Sequence, residues 1–206
     1  MIQVKKYDLP DFSIYESEKD AFCTWQPEET FIVIGASNKP EDSLNEENIL
    51  AGNIPVYKRP SGGQAVVLTP NTIVIAMLKN ETGIKSPKAF FQFVNFNVIA
   101  ALEKLGVKQL SQKGISDIAI GEKKILGSSI YRNKEKNFYH AVLNISEDAE
   151  VFEHYLKHPV KEPDYRKGRS HRDFVTSLKV EGYTINTEEI INMIAHMLGS
   201  KGGAGN

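Results

Sequence analysis

The run Thr72-Ile73-Val74-Ile75-Ala76-Met77-Leu78 constrains the fold more than any other part of the chain, because it carries no charge and no polar alternation. It is too short for a typical helix and rich in β-branched residues, so it reads as a strand covered on both faces. Such a strand needs neighbours on either side and a packed layer above and below, which requires a layered fold. A helix can supply one layer. From Pro87 onward, Phe90, Phe93, Val94, Asn97, Val98, Ala101, Leu102 and Leu105 recur at helical spacing, and Gly106 is placed to cap the C-terminus. Phe90, Phe91, Phe93 and Phe96 admit a second reading as an apolar ligand stripe, but packing against a sheet is the plainer use of the same residues.

Composition sets the bounds. With 206 residues, 41% of them hydrophobic and 25% charged, the chain can bury one sizeable core, and a single domain is expected over residues 1–198 with a mobile tail at 199–206. A formal net charge of −1 gives no electrostatic case for nucleic acid or for an anionic membrane. No apolar run approaches the ~18 residues of a membrane span, and Met1 to Asp8 lack an apolar signal region, so the cytoplasm is the default location. The lone Cys23 excludes an internal disulfide. His154 and His158 are one helical turn apart, yet no third ligand stands at metal spacing, and they read as a surface pair.

Other elements follow from local pattern. Residues 17–22 suit a short helix, residues 38–48 a loop leading into a helical turn, and Ile54-Pro55-Val56-Tyr57 the first strand of a hairpin. Gly121-Glu122-Lys123 marks a tight turn between an alternating strand at residues 115–120 and a second strand carrying Lys124, and residues 133–137 form the next turn. Residues 150–157 read as a helix, residues 174–178 as helix-like, and residues 187–198 as a last helix opened by Thr187-Glu188-Glu189. The basic segment Pro163-Asp164-Tyr165-Arg166-Lys167-Gly168-Arg169-Ser170-His171-Arg172-Asp173 has two readings, a solvated loop and a loop facing phosphate or an acceptor.

Two segments carry candidate chemistry. In Tyr57-Lys58-Arg59-Pro60-Ser61-Gly62-Gly63-Gln64-Ala65-Val66-Val67-Leu68, the glycines let backbone approach a ligand, and Arg59 offers a planar fork of donors. Consecutive glycines between apolar runs also make an ordinary hairpin turn, and the segment alone does not choose. About sixty residues later come Gly114-Ile115-Ser116-Asp117-Ile118-Ala119-Ile120, then Lys124-Ile125-Leu126-Gly127-Ser128-Ser129, then His140-Ala141-Val142-Leu143-Asn144. Lys124 sits within a strand, and its apolar and glycine flanks suit either an ammonium aimed into a cleft or a solvated edge lysine.

Together these segments resemble the lipoate–protein ligase family, which shares a catalytic domain with biotin–protein ligases and octanoyl transferases. The Arg-x-Ser-Gly-Gly-x-Ala-Val loop is matched at residues 59–66, an Asn-Asp-Ile-like strand at Ser116-Asp117-Ile118, a Lys-x-x-Gly-Ser-Ala-like strand at residues 124–129, and a following His with Leu-Asn at His140 and Leu143-Asn144. Thr24-Trp25-Gln26 before Phe31-Ile32-Val33-Ile34-Gly35 is similar to the family's tryptophan-containing approach to its first core strand. The chain departs from the pattern at Leu126, where a small residue is common, at Ser116, where Asn is usual, and in an expected hairpin from Leu68 to Thr72 that is about one residue short.

The resemblance implies an α+β fold, a central and largely antiparallel sheet flanked by helices, as in class II aminoacyl-tRNA synthetases. It implies activation of lipoate or a similar medium-chain acid by ATP and Mg²⁺ to an acyl-adenylate, and transfer to a lysine of a lipoyl carrier domain of the 2-oxoacid dehydrogenase E2 or glycine-cleavage H type. Lys124 is then the catalytic residue. Arg59, Ser61, Gly62, Gly63, Gln64, Ala65, Asn71, Ser116, Asp117, Gly127, Ser128 and His140 bind nucleotide or acyl group, with Asp117 also the Mg²⁺ candidate and Asn71 near adenine. The accessory C-terminal domain of many such ligases is not expected here, which leaves room for a separate accessory chain. No N-terminal helix-turn-helix segment is evident, which disfavours a DNA-binding biotin repressor. Two alternatives stand beside the ligase: an octanoyl or lipoyl transferase using a Cys23 thioester, and a non-catalytic lipoate-binding module.

Overall fold

A computed structural model describes residues 1–80 and 86–199. The chain opens with strand β1 (Val4–Lys6) and a 3-10 turn (Pro10–Glu16), followed by β2 (Ala21–Trp25) and β3 (Phe31–Ile34). Short helices α1 (Pro40–Ser43) and α2 (Glu46–Ala51) lead to β4 (Val56–Lys58), β5 (Val66–Leu68) and β6 (Thr72–Asn80). Helix α3 (Pro87–Lys104) precedes β7 (Leu110–Lys113), β8 (Asp117–Ile120), β9 (Lys123–Arg132) and β10 (Lys136–Asn144). Helices α4 (Ala149–Tyr155), α5 (His171–Phe174) and α6 (Thr187–Gly199) complete the described chain.

The apolar run predicted to be covered on both faces is β6, and its first seven residues are buried. It pairs with β2 on one side and β10 on the other, inside a six-stranded sheet of order β2-β6-β10-β9-β8-β7 whose pairs are all antiparallel. Helix α3 starts with Ser86 accepting from the Ala89 N–H and Pro87 in the first turn, and ends with Gly106 at φ +88°. The Gly106 and Val107 amides return to the carbonyls of Glu103 and Leu102, which closes the helix as a Schellman motif. Phe90, Val94, Val98 and Leu102 enter the core with Ile73, Ile75 and the α6 residues Ile190 and Ile194. Phe91 and Phe93 pack at its margin, while Phe96 is exposed, so the aromatic stripe is a packing face. The fold is α+β with a mostly antiparallel sheet flanked by helices.

A second, four-stranded sheet has the order β1-β4-β3-β5. Here β4 runs parallel to β3, and β5 runs antiparallel along the other edge of β3. The hairpin expected around Gly62-Gly63 is therefore absent. With β3 interposed, residues 59–65 must cross over the C-terminal end of β3 instead of turning back beside β4. Tyr7, Leu9, Val33, Leu68 and Val74 form a buried cluster that joins the two sheets.

Other local expectations shift as well. Residues 17–22 do not form a helix; Ala21 and Phe22 begin β2 opposite Leu78 and Met77, where pairing with the central strand overrides local propensity. Of residues 174–178, only Phe174 is helical, and Val175 bridges Lys124 in a parallel sense. Helix α4 stops at Tyr155, so His158 lies beyond it, where its Nε2 is 3.0 Å from Glu162. Gly199 closes α6, and residues 200–206 of the expected tail lie outside the described residues. No described helix is long and apolar enough to cross a membrane.

Candidate active site

The strand pair β8–β9 builds the centre of the site through a bulge. Ile118 faces Leu126, but Ala119 faces Lys124, so Ile125 is an extra residue in β9. In a regular strand, Lys124 and Gly127 would point to opposite faces, because side chains alternate with period two. The extra residue brings both onto the face that carries Asp117, which pairs with Gly127. Lys124 Nζ reaches Asp117 Oδ1 at 3.0 Å and lies over Gly127, where a β-carbon would come within 2.6 Å of it. Thr176 N–H donates to the Lys124 carbonyl at 2.9 Å, which ties the bulge to the segment after α5.

Asp117 is buried and held from several sides. Tyr165 Oη donates to its Oδ2 at 2.8 Å, Ser116 Oγ donates to its Oδ1 at 3.3 Å, and Ser128 Oγ donates to the Ser116 carbonyl at 2.6 Å. Burial and the adjacent carboxylate push the Tyr165 phenol well above its ordinary value of 10.0, so it remains a donor.

The glycine loop packs just as closely. Ala36 N–H donates to the Ser61 carbonyl at 2.9 Å, and a β-carbon on Gly35 would stand 2.2 Å from the Gly63 oxygen. Gly63 itself has φ +92°, a left-handed conformation that favours glycine. Arg59 turns inward: Nε donates to Ser61 Oγ, Nη1 to the Val33 carbonyl, and Nη2 to the Gly62 and Gln64 carbonyls of the loop. Burial lowers its guanidinium to about 10. The arginine expected on phosphate thus spends its donors on the loop.

His140 anchors that loop to the N-terminal segment. Its Nε2 lies 2.5 Å from Ser61 Oγ, and its Nδ1 lies 3.6 Å from Asp11 Oδ2. Burial pushes the imidazole below its usual 6.5, so it is neutral near pH 7, with Nδ1–H facing the carboxylate and Nε2 accepting from Ser61. Asp11 is wholly buried and accepts from Tyr7 Oη at 2.8 and 2.9 Å and from Trp25 Nε1 at 3.1 Å. Sequence reading missed Asp11, because a lone carboxylate in Leu9-Pro10-Asp11-Phe12 carries no pattern that announces burial. It placed Ser129 within the matched strand but not among the binding residues, although this residue bonds Ser61 at 3.0 Å, and it gave Tyr165 no role of its own.

Two cavities meet at Lys124 and Gly127, which line both. The first, about 340 Å³, runs past Val67, Phe152 and Val175 and opens among Lys39, Lys157 and Lys161. The second, about 710 Å³, lies between the sheets, with Val33 and Leu68 on one side and Val74, His140 and Val142 on the other. Arg59, Gly63, Gln64, Ala65, Ser116, Asp117, Ser128 and His140 all border it. Ser61 stands just behind, bonded to His140, while Gly62 presents open space where a β-carbon would stand. Asn71 is not brought here. It lines a separate groove, donating to Glu147 Oε2 at 3.1 Å and accepting from the Ile145 and Ser146 amides.

Among the described residues, no three His, Cys, Asp or Glu side chains converge on a metal position. Among the described residues Asp42, Asp117 and Asp164 are the carboxylates that line the two cavities, and Asp117 is the one paired with Lys124; Mg²⁺ commonly takes one or two carboxylates and completes its shell with phosphate oxygens and water.

Comparison with known proteins accords with this geometry. The chain is 29% identical to lipoate–protein ligase 1 of Staphylococcus aureus over 128 residues, 61% of this chain and 38% of that protein. It is 29% identical to lipoate-protein ligase A of Psychrobacter cryohalolentis over 153 residues, 73% of this chain and 42% of that protein. The matches therefore span less than half the length of these curated relatives. In fold it is similar to the bi-partite lipoate protein ligase of Thermoplasma acidophilum, with TM-score 0.79, 20% identity, and coverage of 92% of this chain and 75% of that one. A lipoate-protein ligase A bound with ATP gives TM-score 0.78 at 18% identity, covering 97% of this chain and 83% of that one. Residues 12–199 match the model of the lipoyl protein ligase A/B catalytic domain, and the chain belongs to that family.

Proposed function

We propose that this chain catalyses ATP-dependent attachment of lipoate, or a similar medium-chain acid, to a lysine of a lipoyl carrier domain. A carboxylate oxygen of the acid attacks the α-phosphorus of ATP, the bond to the β-phosphate breaks, and pyrophosphate leaves. The carrier lysine amine then attacks the acyl carbonyl, AMP departs, and the amide forms with loss of a proton. Both steps develop negative charge on oxygen at the acyl–phosphate junction.

The observation that carries this reading is Lys124 at the meeting of the two cavities, set there by the bulge and held by Asp117. A fixed ammonium at that point stabilises charge on both the carbonyl and the phosphate oxygens. The apolar-walled second cavity suits the acyl chain, with His140 on its wall, and the first suits the nucleotide. The Gly63 loop would cover the acyl–phosphate end, and Arg59 holds that loop in shape. Asp117 would hold Mg²⁺, which supplies neutralisation of triphosphate charge when bound. Asn71 has no part in this scheme, because it lies in another groove.

A non-catalytic lipoate-binding module would have no use for the bulge that aims Lys124. A thioester transferase needs a thiolate, whereas burial and nearby Asp11 push the Cys23 thiol above its ordinary value. The Thermoplasma ligase was described as bi-partite and together with its E2 lipoyl domain, which supports a carrier of that kind here and a separate accessory chain. The test is incubation with ATP, Mg²⁺ and lipoate, followed by mass spectrometry for lipoyl-AMP, then addition of a lipoyl domain. Lipoyl-AMP followed by a lipoylated carrier is expected. Absence of adenylate at saturating substrates contradicts the proposal, and adenylate without transfer indicates a required accessory chain.

A further inference from the structure

Ser129 lies on β9 two residues past Gly127, on the same face, and is paired in register with His140. At the rise of a strand it stands about 7 Å beyond Gly127, comparable with the methylene chain that separates carboxylate from ring in lipoate. It borders the second cavity and is half-buried, and a β-carbon on Gly63 would come within 3.7 Å of its own. Where the family strand has an alanine-like residue, this chain has a hydroxyl.

The direction of that hydroxyl is set from Asp11. The buried Asp11 accepts from Tyr7 and Trp25, and its Oδ2 faces His140 Nδ1 at 3.6 Å, so Nδ1 carries the ring hydrogen. Nε2 is then an acceptor and takes the Ser61 hydroxyl hydrogen across 2.5 Å, while Arg59 Nε donates to the same Ser61 oxygen. With the Ser61 hydrogen committed, Ser129 must be the donor in the 3.0 Å contact between the two serines. Ser129 therefore turns lone pairs, and no hydrogen, toward the cavity. The other hydroxyls on this wall behave alike: Tyr7 donates to Asp11, Ser116 and Tyr165 to Asp117, and Ser128 to the Ser116 carbonyl. Among the described residues, every hydroxyl bordering the cavity spends its hydrogen on the protein.

We propose that Ser129 is a specificity-determining residue, its polarity fixed by Asp11 through His140 and Ser61, and that it selects acids with a hydrogen-bond donor at the far end of the chain. The open dithiol form of lipoate is then taken in preference to the cyclic disulfide and to octanoate. The identity of the acid rests on the ligase reading; the ordering of the hydrogen bonds does not. A thiol S–H can donate to the Ser129 oxygen, whereas a disulfide sulfur has no hydrogen to give and an alkyl end leaves the lone pairs unanswered. Asp11 acts here as a positioning residue, because it reaches the acid only through the groups it orients.

Calorimetric titration of the full chain with the dithiol acid in a thiol-free reductant, with lipoate in its absence, and with octanoate tests the assignment. Wild type is expected to bind the dithiol about threefold or more tighter than either other acid, the size of one modest net hydrogen bond. Ser129→Ala should bring the affinities together by weakening dithiol binding, with an unchanged melting temperature. Asp11→Asn keeps an acceptor for Tyr7 and Trp25 but offers an amide N–H to His140, which moves the ring hydrogen to Nε2 and reverses each donor as far as Ser129. The preference for the dithiol should vanish there although Ser129 is still present. Equal affinities in wild type would overturn the assignment, as would a folded Ser129→Ala that keeps the preference. Proportional losses for all the acids in Ser129→Ala would also overturn it, by making the residue a packing element; this variant decides the matter if Asp11→Asn does not fold. Equal affinities beside normal lipoyl-AMP formation would remove the selectivity and leave the ligase reading standing, whereas binding of none of the acids and no lipoyl-AMP would remove both.

Discussion

Gly127 and Lys124 stand three residues apart on β9 yet share a face, and a β-carbon on Gly127 would lie 2.6 Å from both Cε and Nζ of the lysine. The bulge at Ile125 and the missing side chain at 127 are therefore one device: the first aims the ammonium, and the second leaves room for it. Gly127→Ala should push aside the flexible end of Lys124 while leaving the strand intact. Misplacement of a catalytic group by about 1 Å can cost on the order of 10²-fold, and a loss approaching that size is expected in lipoyl-AMP formation with an unchanged melting temperature. Full activity in Gly127→Ala would show that the lysine does not need this position.

Gly35 makes a different kind of contact. Its added β-carbon would meet backbone, the Gly63 carbonyl at 2.2 Å, and Asn38 Oδ1 at 2.5 Å. Because backbone cannot swing away as a lysine tip can, Gly35→Ala should destabilise the fold by roughly 1–3 kcal/mol and displace the glycine loop. Thermal unfolding beside lipoate calorimetry checks both effects, and a stable variant with normal affinity would contradict the loop packing.

The pH dependence of stability follows from His171. Its imidazole is lowered from an ordinary 6.5 to about 4, so between those values the unfolded chain binds the proton and the folded chain does not. Stability from the neutral ring is complete above pH 6.5 and falls as the pH drops toward 4. His171→Phe should flatten this part of the denaturation profile, and an unchanged slope would assign the acid sensitivity to other groups, His140 among them.

Cys23 separates the ligase from the transferase. The thiol is half-buried on β2, shifted upward by burial, and borders neither cavity of the cleft. Cys23→Ser is expected to retain adenylation and transfer. A folded variant lacking transfer would favour a thioester route.

Much of this architecture was legible because its signals are local. The uninterrupted apolar run of β6, the Ser86-Pro87 start of α3 and its Gly106 end each specify structure within a few residues. Motif order picked out Lys124, Asp117 and His140, and the fold brings all three to the border of one cavity. What escaped depends on partners distant in sequence. The insertion of β3 between β4 and β5 turned an expected hairpin into a crossover, and pairing with β6 drew Ala21 and Phe22 into a strand. Arg59 reads the same in sequence whether it grips phosphate or its own loop; only the carbonyls that surround it decide. Asp11 is buried because Tyr7, Trp25 and His140 converge on it from separate elements.

The most direct test of the account is lipoyl-AMP formation by wild-type and Lys124→Ala protein, measured by mass spectrometry with ATP, Mg²⁺ and lipoate and with thermal unfolding as the control for folding. The account predicts that wild type accumulates the adenylate and that Lys124→Ala, folded as well as wild type, loses on the order of 10²-fold or more of the rate. A folded Lys124→Ala protein that forms lipoyl-AMP at nearly the wild-type rate would contradict it.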